Sequence, residues 1–337
     1  MTTLARVLER PAARVGCAIV GAFVLLAVLG PVVAPHDPYA SDFVRGASPL
    51  HTPVGPSRFF WLGADRLYRD EFARLAVGAR FSLTVGVLAT ALATAIGGAV
   101  GIVAGWFEGT DGAQVPWVVV GGLVVAISCA VLGHPAWAIA GLAGGIAGGI
   151  VAAIGSVDSL KRGPRIDLDT LLMRTVDIGL AFPFLLLVMA IGAAFDRTTG
   201  VTVVLVLGAT GWLGTARVVR AKTMQVRSIE FVQAARALGC STPRILVRHV
   251  LPNVSDVLAV VAILSVAQMI LAESVLGYLG VGVAPPTPTL GRMLLEGQDY
   301  YLAGPWLVVA PGAALILAVL GLHLLGEGLR DGLDARS

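Results

Sequence analysis

A chain this apolar offers few side chains that could do chemistry. The carboxylates Asp177 and Glu273 stand at the ends of long apolar runs, and Arg174 and Asp256 hold similar places. A charge inside a bilayer is costly and often marks a pathway or gate. The cheaper reading is snorkelling to the interface or pairing with a neighbour. His323, in the last apolar run, reads as a hydrogen-bonded packing residue rather than a ligand. No G-x-x-x-x-G-K-[ST] loop occurs, so the protein cannot cradle nucleotide phosphates in that manner. Cys17, Cys129 and Cys240 are scattered and odd in number, so neither a disulfide framework nor a metal site follows. No catalytic residue, metal ligand or cofactor of its own is expected on this protein.

A second kind of chemistry, docking, is written in "SIEFVQAARALGCSTPRILVRHVLPN". Ser228 is positioned to cap a helix, Glu230 sits in the first turn where a carboxylate favours the dipole, and Phe231, Ala234, Ala235 and Leu238 recur at helical spacing. Gly239 follows where a glycine ends a helix. Thr242 and Pro243 start a second helix, and Pro252 marks a break or kink into the next apolar run. The segment therefore predicts a short helix with one apolar face, too short to span. By spacing alone, it is equally an interfacial helix whose Arg236, Arg244 and Arg248 meet anionic headgroups.

The elements that must position these residues are membrane helices. Of 337 residues, 56% are hydrophobic and 13% charged, where a soluble domain carries about 25% charged residues. Runs of roughly 20 apolar residues predict spans at about 15–34, 81–106, 115–133, 135–155, 176–195, 200–215, 254–273 and 305–325. The runs lack the alternation of membrane strands. A net charge of +3 reflects basic residues flanking the spans, not nucleic-acid binding. The first run follows Arg6, Arg10 and Arg14 and is longer than a signal-peptide core, so a retained helix is expected.

Basic loops then set the topology. The N-terminal arm, the loop with Lys161, Arg162 and Arg165, the loop from Arg217 to Arg248, and the tail with Arg330 and Arg336 all fall inside. Gly97, Gly101 and Gly105, and likewise Gly141, Gly145 and Gly149, line helix faces suited to close packing in lipid.

The docking segment resembles the EAA loop of bacterial ABC-importer permeases: Gln233-Ala234-Ala235, then Gly239, His249 and Leu251-Pro252 keep every spacing, with Gln233 in place of the leading glutamate and His249 in place of an isoleucine. The "RHVLPN" ending, "LGADRLYRDEFARLAVGARFSLTVG", "LLMRTVDIGLAFPFLLL", "ILAESVLGYLGVGVAPPTPTLGRML" and "LLGEGLRDGLD" are similar to the dipeptide and oligopeptide (DppC/OppC-like) branch. The resemblance implies an all-α polytopic membrane protein with a MetI-like type I importer permease fold of six helices.

Two inserted helices at about 112–166 would add to those six. The arrangement it implies is a cytoplasmic arm at 1–14, a first span at 15–34, an extracytoplasmic segment at 35–80, a permease core at 81–325 with the coupling loop at about 216–253, and a cytoplasmic tail at 326–337. It further implies a bacterial cell membrane, a second homologous permease subunit, two ABC ATPase subunits that bind ATP and Mg, and an extracytoplasmic substrate-binding protein. Peptides are the implied solute, with nickel or another small solute as the alternative, and Glu230, Gln233, Ala234, Ala235, Arg236 and Gly239 are the implied ATPase contacts. An ion-coupled secondary transporter would instead show charged mid-membrane sites or inverted repeats.

Overall fold

The computed structural model describes residues 10–49, 52–109, 114–116, 165–193 and 198–334. The predicted spans at 115–133 and 135–155, and the Gly141, Gly145 and Gly149 face, lie almost wholly outside the described residues. The rest is mostly helical: α1 Pro11–Val33, α2 Glu71–Phe107, a strand pair β1 Gln114–Pro116 and β2 Arg165–Asp167, then α3 Leu168–Ala181, α4 Phe184–Ala193, α5 Gly200–Arg227, α6 Glu230–Ala237, α7 Thr242–Ile245, α8 Leu251–Tyr278, α9 Leu290–Gly297 and α10 Trp306–Asp334. Among the described residues five helical stretches are long and apolar enough to cross a membrane, and the α3–α4 pair forms a sixth, bent by 88° at its break.

Three predicted spans differ in the structure. α2 begins at residue 71, not 81, because Asp70 Oδ1 accepts from the amides of Phe72 (2.8 Å) and Ala73 (3.1 Å) and so caps it. Its 37 residues make a rod of about 55 Å, well beyond a hydrocarbon core of about 30 Å. α5 continues past 215 to Arg227 because its basic residues find acidic or carbonyl partners. The predicted span 176–195 is broken. Pro183 has no N–H to give the carbonyl of Gly179, which receives only the Phe182 amide at 3.4 Å.

The protein forms two compact units, one of residues 1–98, 179–216 and 251–337 and the other of 99–178 and 217–250. In the first, Val85, Ala89 and Ala93 of α2, Val203, Val206 and Leu207 of α5, and Met269, Ala272 and Leu276 of α8 share one buried cluster. Phe23 and Ala27 of α1, Leu75 and Ala79 of α2, Leu290 and Met293 of α9, and Ala314 and Ala318 of α10 share another. Gly97 packs on the Trp212 carbonyl and Thr215, so close that a Cβ would collide, as expected for helices held in lipid by contact rather than by hydrophobic drive.

In the second unit Gly105 packs in the same way on the Arg220 carbonyl and Thr223. Arg220 donates through Nε and Nη2 to the two carboxylate oxygens of Asp169, each at 2.6 Å. β1 and β2 pair antiparallel, Val115 opposite Ile166, which brings the two flanks of the 117–164 segment side by side.

Candidate coupling and pathway sites

The docking segment folds as a short helix, a stop and a restart, with its caps shifted. Ser228 is not the cap; its hydroxyl donates back to the Gln225 carbonyl at 2.8 Å, and Ile229 takes the cap position. The end of α6 is built as a double bond pattern: Gly239 N–H reaches the Arg236 carbonyl (3.0 Å) and Cys240 N–H the Ala235 carbonyl (3.1 Å), with Gly239 at φ +78°. Ser241 rather than Thr242 holds the next cap position, and Pro243 is within the first turn of α7. The expected break at Pro252 is a widened π turn, Leu246–Val250, after which α8 runs on. The wider turn moves the Arg248 carbonyl, against which the Pro252 ring would otherwise press.

The single apolar face expected of α6 divides in two. Val232 and Ala235 are buried against the rest of the protein, while Phe231, Ala234 and Leu238 are exposed, Leu238 by 84%. Their spacing of three and four residues puts those three on one stripe. Of the polar candidates, Gln233 Nε2 donates to the Ser228 carbonyl at 3.0 Å, a bond a glutamate there would not make. Arg236 stacks its guanidinium over the Trp106 ring at 4.6 Å. Glu230 lies exposed in the first turn.

The two pathway candidates differ in surroundings. Asp177 accepts from Arg217 Nη2 at 2.6 Å, an exposed pair. Glu273 does not snorkel; it is 3% exposed and accepts from the hydroxyls of Ser82 on α2 and Ser274 on α8. Asp177 belongs to the second unit and Glu273 to the first.

Residues 145–337 match the family described as "binding-protein-dependent transport system inner membrane component", and residues 2–51 match the "N-terminal TM domain of oligopeptide transport permease C". The protein belongs to this family of inner membrane transport components. It is 30% identical over 322 residues to a dipeptide transport system permease protein of Alkalihalophilus pseudofirmus, covering 96% of this protein and 85% of that one. It is also 30% identical over 325 residues to an oligopeptide transport system permease protein of Mycobacterium bovis, covering 96% and 91%. A solved methionine ABC transporter matches at 17% identity and a TM-score of 0.37 over 74% of this protein and 95% of that one, too distant to build on.

Two groups in this transport component escaped the sequence reading. Arg227 Nη1 donates to the carbonyls of Trp106 (2.8 Å) and Glu108 (2.7 Å), and its Nη2 to the Glu108 carboxylate (3.0 Å), closing the C-terminal end of α2. With Arg236 over Trp106, this ties the end of α5 and the last turn of α6 to α2. An aromatic at a helix end near the interface was the available signal.

The second group is a buried ionic cluster. Asp65 holds Arg69 (2.7 Å) and Arg74 (3.1 Å), and Glu296 on α9 accepts from Arg74 (3.0 Å) and Arg292 (3.1 Å). The Arg292–Glu296 spacing of four on α9 was its trace in the sequence.

Proposed function

We propose that this protein is a transmembrane subunit of an ATP-driven peptide importer in a bacterial cell membrane. It works with a second permease subunit, an extracytoplasmic binding protein, and two ATPase subunits that hold ATP and Mg. It has no nucleotide site of its own and contributes the path and the coupling. Peptides are the solute class because the relatives named for a function carry dipeptide or oligopeptide transport in their names.

The observation that carries the coupling reading is the stripe Phe231, Ala234 and Leu238, left exposed on a helix that Val232 and Ala235 root in the protein. A short apolar ridge with small Ala234 at its centre fits a cleft of an ATPase subunit, on the cytoplasmic side that the basic loops indicate. Closure of the ATPases then moves α6 as a body, and Trp106, Arg227 and Arg236 pass the movement to α2.

Co-purification of two ATPase subunits, with vanadate-sensitive peptide uptake in proteoliposomes, tests the whole reading. Uptake by this protein alone without ATP would overturn it. Ala234→Trp, which is exposed and costs the isolated protein little, is expected to reduce uptake by about tenfold or more through one lost docking anchor of roughly 2 kcal/mol. Full uptake with that variant would remove α6 from the coupling role.

A further inference from the structure

The break at Pro183 opens a cavity of about 180 Å³ within the first unit. Phe182 and Phe184 flank it at the bend, Thr210 and Gly211 line it from α5, and Gln268 and Met269 line it from α8. Most of this lining is apolar. Thr210 spends its hydroxyl on the Val206 and Leu207 carbonyls of its own helix (2.8 and 3.2 Å), so it is satisfied. Gln268 is different: its side group is exposed, and among the described residues no partner meets it.

Depth makes that amide expensive. Val203 near the start of α5 and Leu276 near the end of α8 share one buried cluster, so those two helix ends lie at the same membrane face. Thr210 is ten residues from Gly200, and Gln268 is ten residues from Tyr278. At 1.5 Å per residue each is about 15 Å from that face, close to the middle of a hydrocarbon core of about 30 Å.

A carboxamide exposed to lipid at that depth would lose its hydrogen bonds to water without replacement. The same holds for the backbone at the bend, where the α3 C-terminal turn loses the amides a continuing helix would supply. Irregular backbone at membrane depth persists only where protein covers it or a cavity meets it. A helix broken at Pro183 and an unpartnered carboxamide therefore meet around one apolar bowl.

We infer that this bowl is an intramembrane subsite for one residue of a passing peptide: Gln268 bonds the peptide backbone, and the apolar wall between Phe184 and Met269 takes its side group. The inference rests on the peptide reading above and adds a place where the solute is held inside the membrane. A carboxamide offers one acceptor and two donors, matching a backbone carbonyl and N–H together without reading the identity of the residue. Water occupies about 30 Å³ per molecule in the liquid, so the volume takes a few waters or one medium-sized residue's side group, not a whole oligopeptide. The remainder of the solute lies along the path beyond it.

A helix of the second permease subunit is the competing occupant, and a closely packed helix interface would present small residues rather than a bowl with a lone amide. The test uses the complete importer, reconstituted in proteoliposomes with its second permease subunit, ATPases and binding protein, and radiolabelled trialanine as probe. With Gln268→Leu, trialanine taken up per ATP hydrolysed is expected to fall about tenfold, as for a lost hydrogen bond of roughly 1.5 kcal/mol. Gln268→Asn restores part of it, and assembly and binding-protein-stimulated ATP hydrolysis persist.

Unchanged uptake per ATP in Gln268→Leu overturns the subsite alone. Loss of co-purification with the second permease subunit in both variants assigns Gln268 to that interface and also overturns it. A wild-type complex that hydrolyses ATP but imports no peptide overturns the peptide reading and the subsite with it.

Discussion

Gly239 shows what a single residue decides. Its φ of +78° lies in the left-handed region, and a Cβ built there meets nothing within 4 Å. Bulk at this position therefore costs the protein nothing by collision, whereas a β-branched residue strains the turn by roughly 1–2 kcal/mol. Asparagine tolerates the left-handed region and adds a side group. This separates turn from docking: Gly239→Val should lose hydrogen-exchange protection at the Cys240 amide and lose uptake. Gly239→Asn should keep the protection while still lowering uptake if the proposed ATPase contact fills the open space beside this residue, which the added atoms would enter. Uptake at the wild-type level in the asparagine variant would limit Gly239 to ending the helix. The glycine was legible because the stop signal is local. The role of Ser228 was not, because a hydroxyl that can cap forward can equally bond back to Gln225, as it does here.

At the scale of elements, apolar length located the membrane helices but not their ends or bends. α2 starts ten residues before the apolar run, where Glu71, Arg74 and Arg80 interrupt the pattern, because Asp70 caps the helix and Arg74 finds a buried partner in Asp65. Apart from Asp177 the predicted span 176–195 is uniformly apolar, and Pro183 is the one local mark of its break. The existence and length of α6 were legible, but its cap and its attachment were not, since Trp106 and Arg236 are 130 residues apart and no local spacing joins them. That attachment yields an element-scale prediction. Trp106→Ala removes a cation–π contact worth roughly 0.5–1 kcal/mol, leaves Arg227 on its carbonyls, and opens a cavity because Trp106 itself is 3% exposed. Stimulated ATP hydrolysis should continue while uptake per ATP falls by about threefold, and Trp106→Phe should recover most of it. Uptake and hydrolysis falling in parallel would show that Trp106 only supports folding.

For the molecule as a whole, the two units rest on charges kept in different surroundings. In the first, Arg74 is 2% exposed in its side group and joins Asp65 on the loop before α2 to Glu296 on α9. In the second, Asp177 and Arg217 pair with about half of each side group exposed. Removing one partner of a buried pair leaves the other charges uncompensated, at a cost of about 3–5 kcal/mol, whereas an exposed pair contributes about 0–1 kcal/mol. Arg74→Met should therefore lower the melting temperature of the detergent-solubilised protein by on the order of 10 °C, while Asp177→Asn moves it by about 2 °C or less. Salt separates them further: raising ionic strength screens the exposed pair and shrinks the Asp177→Asn difference, but leaves the Arg74→Met loss nearly unchanged, because screening ions do not reach a buried cluster. Adding Glu296→Gln to Arg74→Met removes a buried carboxylate that has lost one of its arginine partners and should recover part of the lost stability. A double variant no more stable than Arg74→Met would mean that packing of the arginine stem, not charge balance, holds α9 to the start of α2.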